Sequence, residues 1–207
     1  MEQKTKIIHF NNQKEKSPKI KEKPPPKKRI ITETQKWHSY LDEQLDVEPQ
    51  WSMLIALSQE YNIPVTIDIS YNSLEVTPEK IVFLKNEIQR KIHGYRSQDV
   101  KKNKFDISKF ISLEYVLERI VHTELNCFYC QGPVKIWYEI ARDPLQWTLE
   151  RIDNKIGHNV GNVEISCLQC NLKRRCMHHE RYLKTQAMRQ VLKVDKKESE
   201  SESKENI

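Results

Sequence analysis

The sequence predicts an α+β protein: a disordered basic tail leads into a mostly helical middle region, then into a ββα unit organised around four cysteines and followed by a long C-terminal helix. Three observations predict it. The cysteines come as two close pairs, Cys127-Phe-Tyr-Cys130 and Cys167-Leu-Gln-Cys170, with 36 residues between the pairs. Apolar residues before the first pair recur at helical spacing, whereas those between the pairs alternate and break at Asn and Gly. Hydrophobic residues are 37% of the 207, too few for a chain packed throughout.

Residues 1–30 are rich in Lys, Gln and Pro. Prolines 24–26 forbid helix, so this segment is expected to be extended and disordered. Between 33 and 61 two short helices are expected, the second opening at Pro49 with Trp51, Leu54, Ile55 and Leu57 as its apolar stripe. Ile63, Val65, Ile67 and Ile69 alternate as a short strand. Thr77-Pro78-Glu79 starts a helix that buries Ile81, Leu84, Ile88 and Ile92 and is expected to stop near Gly94 and Tyr95. Ser112 caps another, with Leu113, Val116, Leu117, Ile120 and Val121 on one face. These stripes say that 31–125 packs against something, and they carry no chemistry of their own.

From Cys127 the period changes. Val134–Tyr138, Trp147–Ile152 and Val163–Ile165 read as strands, and 153–162 as the loop joining the last two. Cys167 to about Lys193 contains neither Gly nor Pro and reads as one long helix. A Lys/Glu/Ser tail over 193–207 is expected to be disordered. The predicted organisation is thus 1–30, 31–125, 126–192 and 193–207.

Two residues between cysteines bring both thiolates to one face of a tight turn, and two such turns build a tetrahedral zinc site. Cys127, Cys130, Cys167 and Cys170 are the expected ligands of a structural Zn²⁺. A thioredoxin-like redox pair would need a single C-x-x-C in a βαβ setting. Disulfides would need an oxidising compartment, and the start of the chain has no apolar core for a signal peptide. Cys176, His178 and His179 follow, and a ligand set that borrows one of the histidines remains open beside the simpler view of a free thiol and solvated imidazoles.

Four glycines and no Walker or G-x-G-x-x-G pattern argue against a nucleotide loop. No apolar run is long enough to span a bilayer, so an intracellular protein is expected, nuclear or cytoplasmic (a viral factory included), not secreted and without membrane contact. The net charge of +6 is uneven: residues 1–30 carry ten Lys/Arg against three Glu, 31–126 eleven against fifteen acids, and 127–190 ten against six. Basic character therefore gathers in the tail and the cysteine-rich part, where it suits phosphate neutralisation by DNA. Lys23–Arg29 reads as a nuclear address, a DNA-gripping arm or a solubilising tail.

A zinc knuckle, a hairpin and a helix supplying the second ligand pair make a treble-clef-like ββα unit. Here the chain resembles the HNH (His-Me finger) endonucleases, in particular a zinc-containing branch found in phages and large DNA viruses. The resemblance rests on Cys127-x-x-Cys130, Leu149-Glu150-Arg151-Ile152-Asp153, Gly157-His158-x-x-Gly161-Asn162-Val163 and Cys167-x-x-Cys170-Asn171-x-Lys173, about 65 residues in all. It implies that Glu150 binds a catalytic Mg²⁺ or Mn²⁺, that Asn162 fastens the loop, and that Asn171 helps hold the ion. A hard cation with open positions is the geometry phosphodiester hydrolysis needs.

The chain departs from that family at the water-activating histidine, which here is Arg151. A guanidinium with a pKa above about 12 accepts no proton from water, though it can clamp a phosphate. His158 is the expected substitute base, or else a loop hydrogen-bonding residue. Asp153 is a second ligand, or else a turn cap. Lys173, Arg174 and Arg175 extend a phosphate track along the helix. Three readings follow: a metal-dependent DNA endonuclease, a catalytically inactive zinc module that binds nucleic acid as a transcription or recombination accessory, and a structural zinc clip through which the helical region 31–125 docks a protein partner.

Overall fold

A computed structural model of the chain describes residues 25–35, 37, 47–65 and 76–189. Expectations for 1–24, for the strand beyond residue 65 and for 193–207 lie outside the described residues. A 3-10 turn over Ile30–Glu33 is followed by α1 (Val47–Glu60), α2 (Pro78–Lys101) and α3 (Leu113–His122). Strands β1 (Trp147–Arg151) and β2 (Val163–Cys167) form the hairpin, and α4 (Leu168–Arg174) follows without a break in the chain. A last helix, α5, occupies 179–189. The mixture of helices with a two-stranded antiparallel sheet is α+β.

The stripes of α1, α2 and α3 form one core with the cysteine unit. Trp51, Leu54 and Leu57 join Leu84, Ile88 and Ile92 of α2, Val116, Leu117 and Ile120 of α3, and then Trp147, Leu149, Ile165 and Cys170. Position 126 therefore marks a change in chemistry and not a gap in packing. The surface that the helical stripes needed is supplied by the cysteine unit of the same chain.

Helix α2 corrects the expected stop at Gly94. It continues to Lys101, because Tyr95 and Asp99 carry its inward face onward beside Leu84, Ile88 and Ile92. The Tyr95 hydroxyl accepts the Leu149 N–H at 2.9 Å and the Asp99 carboxylate accepts the His158 N–H at 2.6 Å. These two tertiary bonds offset the roughly 1 kcal/mol that an internal glycine costs a helix. Helix α3 starts as expected, the Ser112 Oγ accepting from the Tyr115 N–H at 3.1 Å.

The strand expected at Val134–Tyr138 is absent. Val134, Ile136 and Trp137 are buried, but backbone pairing with 145–147 is confined to an isolated bridge at Lys135, and beyond it a side chain takes the place of a neighbouring strand. Gln50 Oε1 accepts the N–H groups of Ile136 and Trp137, each at 2.8 Å, and its Nε2 donates to the Trp137 carbonyl at 3.2 Å. The apolar alternation holds for Val134 and Ile136 only, since Trp137 is fully buried and Tyr138 half-buried.

The single long helix expected from Cys167 is also corrected. It breaks after Arg174, where Arg175 adopts φ 53°, ψ −114°, and resumes at 179. The break lets α5 fold back so that buried Tyr182 meets Tyr129 of the first cysteine turn edge-on, with centroids 4.8 Å apart. That ring contact is unavailable to a straight helix. The N-terminal segment is anchored at its described end: the Arg29 guanidinium donates to the Tyr138 carbonyl at 3.0 Å and to Glu87 at 2.7 Å. Residue 29 is thus not part of a free tail. Among the described residues no helix is long and apolar enough to cross a membrane.

Candidate metal centre and the strand–helix site

Cysteine thiolates in a tetrahedral site at about 2.3 Å from a metal stand roughly 3.8 Å apart. The ligand atoms of Cys127, Cys130, Cys167 and Cys170 all lie within 4.8 Å of one another, with Cys130 Sγ and Cys167 Sγ at 4.0 Å. The first pair sits on a tight turn closed by Gln131 N–H to the Cys127 carbonyl at 2.9 Å and by Cys127 N–H to the Gly132 carbonyl at 2.8 Å. The second pair spans the end of β2 and the first turn of α4, where Cys167 is the N-cap and its sulphur accepts the Cys170 N–H at 3.4 Å. The crowded sulphurs hydrogen-bond to one another, which pulls the Cys127 thiol far below its ordinary pKa and pushes Cys167 and Cys170 above theirs. Four sulphurs converging at this spacing form a group that can hold a metal ion such as zinc. His178 is exposed, and the ring of His179 pairs with the Tyr129 hydroxyl at 3.2 Å; neither belongs to the cluster.

The hairpin register pairs Trp147 with Cys167, Glu150 with Glu164 and Arg151 with Val163. Side chains alternate along a strand, so Thr148 and Glu150 share a face with Ser166 and Glu164. Against that face lies α4. Asn171 Nδ2 donates to Thr148 Oγ1 at 3.2 Å, and Arg174, three residues on, pairs with Glu150. Arg174 is 2% exposed and also donates to the carbonyls of Arg151 at 2.8 Å and Ile152 at 2.9 Å. Its expected place on the phosphate track is therefore corrected: only Lys173 and Arg175 face solvent. Arg174 ends α4 on the side that faces the hairpin, whereas Lys173 beside it and Arg175 past the helix end do not. Across the sheet Glu164 pairs with Arg119 of α3. Two carboxylates directly opposite repel, and each is neutralised by its own arginine.

His158, the expected base, lies elsewhere. It is 3% exposed, its Nδ1 is 2.9 Å from Asp99 Oδ1, and its ring lies 4.4 Å from that of Tyr95. Gly157 makes this possible, since a Cβ there would meet the Lys104 carbonyl oxygen at 2.4 Å and Asp99 Oδ2 at 2.8 Å. Burial pushes the His158 pKa down to about 4 despite the Asp99 charge. The imidazole is thus neutral, donating from Nδ1 to the carboxylate, and the contact is a hydrogen bond to an anion. Asn162 fastens the loop: its Oδ1 accepts the Asp153 N–H at 2.9 Å and its Nδ2 donates to the carbonyls of Asp153 at 3.1 Å and Gly157 at 2.9 Å. Asp153 is exposed and caps the turn, accepting from Lys155 N–H at 2.8 Å. Arg151 is half-buried and donates to the Ile156 carbonyl at 3.3 Å; strand alternation puts it on the opposite face from Glu150. The structure thus brings Glu150 and Asn171 to one face and leaves Arg151, Asp153 and His158 off it.

Sequence reasoning missed Glu164, Arg119 and Asp99, and read His179 only as a borrowed zinc ligand or a solvated imidazole. The hairpin register would have revealed Glu164 opposite Glu150. Nothing local marks Arg119 or Asp99, which reach the site from distant helices. Compared with models of protein families, with curated proteins and with solved structures, the chain matches none.

Two buried groups here pull stability in opposite directions with pH. Burial raises the Glu150 pKa from 4.5 to about 6, against the lowering charge of Arg174. The folded state holds this proton more tightly, so the contribution is complete below about pH 4.5 and lost as pH rises to about 6. His158 falls from 6.5 to about 4, so its contribution is complete above about pH 6.5 and lost as pH falls to about 4. The first amounts to about 2 kcal/mol and the second to about 3–4 kcal/mol. Between about pH 4.5 and 6 the two offset, and the native chain is expected to show a shallow stability profile there. Glu150→Gln is expected to lose stability steadily as pH drops through that window. Urea denaturation at a series of pH values tests this; parallel profiles for the two proteins would refute it.

Proposed function

We propose that this protein is a zinc-clamped ββα module that binds nucleic acid through its phosphate backbone and does not hydrolyse it. The metal is taken as zinc because four thiolates in a tetrahedral set suit a soft d¹⁰ ion. The observation that carries the proposal is Arg174, a resident cation buried against the carboxylate that the HNH resemblance assigns to the catalytic metal. With Glu164 held by Arg119, the face has no net negative charge left to attract Mg²⁺ or Mn²⁺. Around it, cations face solvent. Among the described residues no carboxylate pairs with Lys173, Arg175, Arg142 or Lys155. Unpaired cations on a rigid scaffold are what backbone binding uses.

The endonuclease reading keeps one specific support. Glu164 stands opposite Glu150, Asn171 borders the same face, and His179 of α5 feels the charges of both Arg174 and Glu164. A divalent ion that displaced the arginines would find oxygen ligands there. Plasmid DNA incubated with the native chain and Mg²⁺ or Mn²⁺ separates the two readings. The expected result is salt-dependent binding without nicking. Nicking that disappears in Glu150→Ala would establish the nuclease instead. Replacing both Lys173 and Arg175 by alanine is expected to reduce the slope of log affinity against log salt by about two, one for each lost phosphate contact.

A further inference from the structure

A groove of about 570 Å³ runs between α4 and the turn at 142–144. Its rim carries three cations, Arg142, Lys173 and Arg175, and its floor is apolar: Leu168, Leu172 and Pro144. Among the described residues no carboxylate lines it, and the neighbouring Asp143 accepts the Leu145 N–H at 2.8 Å. Leu172 is 47% exposed on this floor, at a helix position where a polar residue would cost nothing.

Both groove arginines sit on unusual backbone. Arg142 has φ 63° and Arg175 φ 53°. Such positive φ is uncommon for residues with a Cβ, and Arg175, at the C-cap of α4 with ψ −114°, lies outside the left-handed helical well. Both long cations line the same groove. The walls are tied together besides, since the Gln169 N–H donates to the Pro144 carbonyl at 3.0 Å and the Leu168 N–H to the Gln146 carbonyl at 2.9 Å.

We infer that this groove takes an unpaired, unstacked nucleotide, so that the chain prefers single-stranded nucleic acid to uninterrupted duplex. The inference rests on the nucleic-acid reading above. Duplex offers phosphates to the three cations but keeps its base faces stacked inside, leaving the apolar floor in water. A single strand offers both, a backbone for the rim and a base face for Leu168, Leu172 and Pro144. The exposed Gln169 amide at the margin can hydrogen-bond a base edge. The volume suits one or two nucleotides and no folded partner.

Fluorescence anisotropy with a labelled oligo(dT) strand and a labelled blunt-ended duplex without a loop, at equal salt, tests this. The single strand is expected to bind about tenfold more tightly. Leu172→Ser is expected to remove roughly that tenfold from the single strand and leave duplex affinity unchanged, as loss of one buried leucine contact predicts. Leu172→Trp is expected to strengthen single-strand binding and to lose indole fluorescence on stacking. Unchanged metal content and circular dichroism certify the fold of each variant. Duplex bound as tightly as single strand, or a preference untouched by both variants, overturns the groove assignment while the nucleic-acid reading stands. Absence of salt-dependent binding to either probe overturns both. Capture of poly-glutamate with the same Leu172 dependence, and of neither nucleic acid, would assign the groove to an acidic peptide and overturn the inference as well.

Discussion

Cys170→Ala is expected to unfold the C-terminal half of the chain. Cys170 lies in the first turn of α4, its N–H bonds the Cys167 sulphur, and its own sulphur completes the four-cysteine cluster. A structural zinc contributes folding free energy outright, about 10–16 kcal/mol in isolated finger peptides, and most of it needs the full ligand set. The loss should spread. Cys127, Cys167 and Cys170 belong to the same core as Leu84, Ile88, Val116 and Leu117, so α2 and α3 lose the surface they pack on. The native chain is expected to contain one zinc ion and to lose its cooperative melting transition in a strong chelator. Cys176→Ala serves as the control, because Cys176 is exposed and outside the cluster. A Cys170→Ala protein that melts like the native chain would remove the zinc clamp from this account.

Arg174→Ala is expected to cost about 3–5 kcal/mol, the usual penalty for leaving one partner of a buried ion pair uncompensated. Arg174 satisfies Glu150 and the carbonyls of Arg151 and Ile152, so its loss strands one carboxylate and leaves two backbone acceptors without that partner. The paired change Glu150→Leu with Arg174→Met removes both charges together and is expected to fall near the native stability, or above it. Urea denaturation of the two proteins checks both statements. A mild cost for Arg174→Ala would mean that the guanidinium leaves Glu150 easily, as the nuclease reading requires for metal entry.

Much of this architecture follows from local rules. The spacing of Cys127, Cys130, Cys167 and Cys170 names the metal-binding set, because a two-residue separation constrains a turn wherever it occurs. Ser112 starts α3 where its hydroxyl can reach the Tyr115 N–H, and Asn and Gly residues mark the hairpin loop. These signals act over three or four residues and so survive in a linear reading. The strand expected at 134–138 failed because Gln50, more than eighty residues earlier, supplies its hydrogen bonds. The stop expected at Gly94 failed because Tyr95 and Asp99 find partners in the hairpin.

The sequence by itself determined the four sulphur ligands, the α+β class and the cationic character of the C-terminal part. Only the tertiary structure decided which charged groups are available for chemistry. Glu150 and His158 look equally free as letters, yet one is neutralised by Arg174 and the other is held by Asp99. Lys173, Arg174 and Arg175 look like one basic run, yet the middle residue is buried. Charge availability depends on what stands opposite a side chain, and in this chain the opposing groups come from helices 24 and 59 residues away in sequence.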